Sequence, residues 1–160
     1  MLQPAAIDGQ AFARSAGVVQ GRLDLKSLPR LAQSGCLGLD LGFVLSGEIN
    51  ARGNPGLRLA IAGSVRLECQ RCLGVVDLPL RFESQLELAE DEAEILAAED
   101  DVERVVAARE MPVLELVEDE VILALPMVPK HAQCRAATEA EGATAPNAFQ
   151  ALAALKQSDK

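Results

Sequence analysis

The chain predicts an α+β fold: an antiparallel β-meander of three or more strands covered by one helix, with a short strand and a short helix ahead of it. Three observations carry this. Stretches at about 37–49, 57–69 and 75–88 alternate apolar and polar residues, the period of a half-buried strand. The links between them are short, so neighbouring strands pair antiparallel. A stretch at about 112–125 instead repeats apolar residues at three-four spacing, the mark of a helix with one greasy side.

Each element has its own local reason. Residues 1–16 are weakly patterned, and Val18, Val19 and Leu23 suit a short strand. Asp24 to Ala32 reads as a short helix, with Ser27 as its cap and Pro29 in its first turn. The first long strand places Leu37, Leu39, Leu41, Phe43 and Leu45 on one face. The second places Leu57, Leu59, Ile61, Val65, Leu67 and Cys69 there, and the third Val76, Leu78, Leu80, Phe82, Leu86 and Leu88. Gly53-Asn54-Pro55-Gly56 has turn chemistry, and Gln70 to Gly74 forms the second turn. Glu90 to Asp101 is acidic, an exposed loop or frayed helix, and Val102, Val105 and Val106 suit a further short strand. In the last helix Val113, Leu116, Val117, Val121, Ala124 and Leu125 face the sheet, and Pro126 and Pro129 stop it. Residues 1–134 then form one domain, and 135–160 a linker with a short terminal helix around Phe149, Leu152 and Leu155.

Composition narrows the class. Apolar residues make up 49% of the 160, and the only aromatics are four Phe, so the core is aliphatic. No run approaches the ~20 apolar residues of a membrane span, and Met1 to Gln10 lacks a secretory pattern. A soluble cytoplasmic protein in a reducing compartment is expected, where thiols stay reduced. The net charge is -9, divided unevenly: residues 1–82 carry nine Lys/Arg against six acids, and 83–160 carry six against eighteen. An acidic chain repels polyanions at long range. Any nucleic acid is therefore expected at the basic half, where Arg52, Arg58, Arg66, Arg71 and Arg81 are the candidate phosphate contacts. Arg58 and Arg66 stand about 27 Å apart along one strand, a spacing that tracks a backbone rather than clamping one phosphate. With no Tyr or Trp, the usual base-stacking platforms are missing.

Two short pairs carry the metal chemistry. Cys69-Gln70-Arg71-Cys72 lies in a hairpin turn, and His131-Ala132-Gln133-Cys134 lies just past the helix. Together they offer three sulfurs and one imidazole, the donor set of a structural zinc site. Residues 73–130 separate the pairs, so the fold itself must close the site. Two other readings stay open: a redox dithiol, which would want a helix N-terminus, and small apolar groups packed in a hairpin end. Cys36 has no partner at ligand spacing. Glu118-Asp119-Glu120 cannot converge on one ion, because consecutive helical positions diverge by about 100°; they read as a solvated or partner-binding helix face, suited to a basic protein. No nucleophile elbow and no phosphate loop is present.

The motifs Leu67-Glu68-Cys69-Gln70-Arg71-Cys72-Leu73 and Leu116 to Pro129, with His131 and Cys134 beyond, strongly resemble the YceD-like family, the bacterial large ribosomal RNA subunit accumulation proteins. Asn147 to Lys156 resembles that family's ending, and the likeness covers about residues 35–156. The resemblance implies a role in synthesis, processing or stability of large-subunit (23S) ribosomal RNA and brings no catalytic residue. With the charge asymmetry it suggests a non-enzymatic two-faced adaptor, its arginine-bearing sheet toward RNA or an assembly intermediate and its acidic half toward a basic protein. The rivals are a protein–protein interaction module with no RNA contact and a metal- or thiol-dependent enzyme.

Overall fold

A computed structural model describes residues 6–136. Along the chain come β1 (Ala6–Ile7), α1 (Gly9–Arg14), β2 (Val18–Arg22), a 3-10 turn (Leu25–Ser27), α2 (Pro29–Gln33), β3 (Cys36–Ile49), β4 (Pro55–Glu68), β5 (Val75–Ala89), α3 (Glu92–Ala97), β6 (Arg104–Val106), β7 (Met111–Pro112) and α4 (Val113–Ala124). The five-stranded sheet has the order β2-β3-β4-β5-β6, and β1 and β7 make a separate small ribbon. The three long strands and the covering helix are the expected α+β framework. The edge strand β6 goes beyond the meander, because it runs parallel to β5. The terminal helix expected around Phe149 lies outside the described residues.

Alternation decides the core. In register, Leu45, Leu59 and Ser84 lie across one row and Phe43, Ile61 and Phe82 across the next. Leu41, Leu45, Leu57, Leu59, Ile61 and Val65 are buried, each contributing on the order of 2 kcal/mol of transfer free energy. The cover is shared rather than left to α4 alone. Helix α1 packs on β3 and β4, and α4 packs on β5 and α2. Gly47 permits the first contact: a Cβ there would stand 2.3 Å from the Phe12 carbonyl oxygen.

Two expectations need correction here. Leu37 does not join the inner face; it is 53% exposed. The β3–β4 register shifts between Cys36 and Gly38, and such a bulge reverses side-chain direction over one residue. Cys36 is buried instead, its sulfur against the Gly38 carbonyl. Ser27 does not cap a helix either. Asp24 caps the 3-10 turn through the Lys26 N–H, and α2 starts after Leu28 with Pro29 at its first position and no cap of its own.

Candidate metal centre

The β4–β5 hairpin is long, and its tip is knotted. The Cys69 N–H donates to the Gly74 carbonyl (2.8 Å) and the Leu73 N–H to the Cys69 carbonyl (2.9 Å). Leu73 turns the chain with a φ of 61°, the left-handed region a non-glycine residue adopts at a cost of about 1 kcal/mol. Leaving α4, the chain passes beneath this tip. The Gln70 N–H donates to the Pro129 carbonyl (2.9 Å) and holds the segment after α4 in place. Tertiary closure thus brings the two sequence-distant pairs together.

The ligand-type atoms of Cys69, Cys72, His131 and Cys134 all lie within 4.8 Å of one another, a group that could hold a metal ion. Their spacing fits a tetrahedral ion. Bonds of about 2.3 Å to sulfur and 2.0 Å to nitrogen give edges of about 3.8 Å between sulfurs and about 3.5 Å from sulfur to nitrogen. Cys69 and Cys134 stand 3.7 Å apart at sulfur, and Cys72 Sγ is 3.4 Å from His131 Nδ1. The far nitrogen of the ring settles the tautomer: His131 Nε2 donates to the Val75 carbonyl at 2.9 Å. Nδ1 then faces the sulfurs with its lone pair, an orientation that ligating histidines favour.

The thiols differ in environment. Burial pushes the Cys69 thiol up, but N–H groups of Cys72, His131 and Arg71 outweigh it and bring its pKa down to about 5. At Cys72 the Gly74 N–H favours the thiolate, yet burial and the Cys69 and Cys134 sulfurs hold the pKa above the usual value. The Cys69 sulfur favours the thiolate and the Cys72 sulfur resists it, a conflict that a dication would resolve. Cys69 is fully buried, and the pair sits between two strands rather than at a helix N-terminus.

The five candidate arginines do not form one basic surface. Arg52 pairs with Glu87 (3.1 Å) and Asp100 (2.9 Å). Arg58 pairs with Glu48 (2.9 Å) and Glu83. Arg71 turns inward: its Nε donates to Cys134 Sγ (3.0 Å) and its Nη2 to the His131 carbonyl (2.8 Å). Arg66 and Arg81 are exposed and make no ion pair among the described residues. Arg66 lies over Gly38, and Arg81 borders an open groove floored by Gly42, Val44, Ala60 and Ala62. The outer sheet face therefore mixes signs, and the expected division into exteriors of opposite charge does not hold.

The acidic helix face is also corrected. Asp119 is exposed, but Glu118 is 2% and Glu120 6% exposed. Glu118 accepts from the Leu31 N–H (2.9 Å) and from Arg30 Nε (3.0 Å), so it caps the helix that lacks a cap of its own. Arg30 also pairs with Asp119. Glu120 accepts from Ser84 Oγ at 2.5 Å, on the inner face of the sheet. Partners 88 and 36 residues away leave no local signal. The Glu87–Arg104–Asp100 cluster was likewise not foreseen; its one trace in sequence is a Glu in a strand that ends in apolar residues. For the inward turn of Arg71, a position between two cysteines was the available hint.

Among known proteins, the model of the family described as "Large ribosomal RNA subunit accumulation protein YceD" matches residues 57–156, more than half of the chain and including all four cluster residues. No curated protein and no solved structure gives a significant match. Among the described residues, no helix is long and apolar enough to cross a membrane.

Proposed function

Since the chain belongs to the YceD family of large ribosomal RNA subunit accumulation proteins, we propose that it supports synthesis, processing or stability of large-subunit (23S) ribosomal RNA in the cytoplasm as a non-enzymatic factor that binds RNA or an RNA–protein assembly intermediate. The family match carries this reading. The contact is narrower than the arginine count suggests. Arg66 and Arg81, on neighbouring long strands and without acidic partners among the described residues, are its phosphate contacts; Arg52 and Arg58 are engaged within the protein. A basic protein partner would meet the exposed acids of 90–101, among them Asp91, Glu92 and Glu94, rather than α4.

In this reading Cys69, Cys72, His131 and Cys134 hold a structural Zn²⁺. The sulfur spacing, the fixed imidazole and the soft donor set support that choice. When bound, the ion supplies a cross-link between the hairpin tip and the chain leaving α4, and four protein ligands leave it no open position for a substrate.

Filter binding of the full chain to large-subunit rRNA fragments at two salt concentrations tests the RNA contact. Affinity should fall with salt, and the R66E/R81E double variant should lose most of it and lower the salt slope by about two. Affinity insensitive to salt, or no binding, removes the RNA contact. One observation favours a second reading, a protein-interaction module: Leu37 and Met127 are exposed around a cavity that Gln70 and Pro129 also line, near the metal end. Affinity capture with and without nuclease separates the two, since protein-only partners survive the digestion.

A further inference from the structure

We propose that Arg71 is the built-in counter-ion of the metal centre and the guard of Cys134, rather than a phosphate contact. This rests on the zinc reading and adds to it a residue that is not a ligand.

The three sulfurs obtain their hydrogen bonds differently. Cys69 meets the Cys134 sulfur at 3.7 Å, and Cys72 meets His131 Nδ1 at 3.4 Å. Both sit on the tight turn that the Cys69–Gly74 and Leu73–Cys69 backbone hydrogen bonds close. Cys134 lies on an irregular segment beyond the helix. Its N–H donor among the described residues is a side chain, Arg71 Nε at 3.0 Å. The same guanidinium donates through Nη2 to the His131 carbonyl at 2.8 Å. One planar fork thus spans both residues of the second ligand pair, from a position inside the first.

Charge points the same way. Three thiolates, one neutral imidazole and Zn²⁺ leave a net charge of -1. A guanidinium, always protonated and with no lone pair to compete for the ion, offsets it. Cys72 and Cys134 are half-buried whereas Cys69 is fully buried, so solvent-borne electrophiles can reach two of the three sulfurs, and Arg71 stands against Cys134. Lysine could supply the charge but not the two parallel donors.

The test uses the full chain as wild type, R71Q and R71K. Three readouts are taken: zinc per chain by elemental analysis, zinc affinity by chelator competition, and the alkylation rate of each cysteine with iodoacetamide, followed by peptide mass spectrometry. Wild type should hold one zinc. R71Q should bind it roughly 10- to 100-fold more weakly, the usual loss for a residue that supports metal ligands. Its Cys134 should alkylate at least about tenfold faster, with Cys69 and Cys72 changing less, and R71K should fall between. Binding of rRNA fragments, and its salt slope, should be unchanged in R71Q. One zinc in wild type with R71Q at wild-type affinity and alkylation overturns the role of Arg71 and leaves the zinc reading standing. No zinc in wild type overturns both. Should R71Q fail to fold, R71K decides: wild-type values for affinity and Cys134 alkylation overturn the proposal, and intermediate values support it.

Discussion

The two ends of the β4–β5 hairpin are closed by polar clusters of opposite kinds. At the open end Glu87, buried in the sheet, accepts from Asn50 Nδ2 (2.6 Å), Arg52 Nη2 (3.1 Å) and Arg104 Nε (3.1 Å). Asp100 engages the other nitrogens of both arginines. Donors and acceptors there are matched, and the cluster is complete in itself. At the tip, the ligand-type atoms of Cys69, Cys72, His131 and Cys134 gather within 4.8 Å of one another. In the zinc reading proposed above, a cation completes this set. On that reading the protein locks one end of the strand pair with its own charges and the other with a ligand, and the second kind of lock can be opened from outside.

The largest expected effect removes the ligand-dependent lock. A strong chelator should lower the melting temperature by about 10 °C or more, and Cys72→Ser should produce the same fall. Because both act on one site, chelator added to the Cys72→Ser protein should do little more. Additive losses would mean that the chelator acts elsewhere.

Cutting the other lock should be independent of metal. Glu87→Ala leaves the Arg104 side chain, 9% exposed, without its buried partner, and should cost about 2 kcal/mol in urea unfolding. The loss should be equal with and without chelator. If chelator erases it, the two ends are coupled and the comparison fails.

A pH series sharpens the contrast. Burial alone would raise the Glu87 carboxyl, but hydrogen bonds from Asn54 and Asn50 and the charges of Arg52 and Arg104 bring it below its ordinary value of 4.5. A carboxyl held low in the folded state binds its proton first in the unfolded chain. Its stabilisation is therefore present above pH 4.5 and is lost as the pH falls through the folded value. The stability difference between wild type and Glu87→Ala should shrink below that point. A difference that grows in acid would reverse the assignment.

The smallest effect has the opposite sign. Burial pushes the Glu120 carboxyl up, opposed by the Ser84 hydroxyl and reinforced by Glu103 and Asp119. A raised carboxyl favours the folded state only below its unfolded pKa, and the advantage is lost as pH rises through the folded value. Glu120→Gln should therefore gain up to about 1 kcal/mol at pH 7 and nothing at pH 4. A loss at pH 7 would show that the ionised group is held by more than Ser84.

Legibility follows the range of each interaction. The strands were readable because Leu57 to Leu67 and Val76 to Leu88 alternate without reference to any distant residue. Leu37 was misplaced because a bulge is a property of two paired strands, and Cys36 to Gly38 carries no mark of it. Residue type alone puts Glu118 and Glu120 in solvent, where a charged residue usually lies; their exceptions depend on Arg30 and Ser84, which the fold brings to them. The arginines are plain in the sequence but their pairings are not, and pairing decides which cations remain available.

By itself, then, the sequence determined the aliphatic sheet, the helix against it and the chemical identity of three sulfur donors and one imidazole, all of which follow from residue type and short-range period. The tertiary structure alone decided that His131 meets Cys72, that Arg71 points at Cys134 instead of solvent, and that Glu87, Glu118 and Glu120 are buried. Those outcomes depend on chain segments about 30 to 90 residues apart arriving within a few ångströms of one another, and burial and pairing energies act only after they arrive.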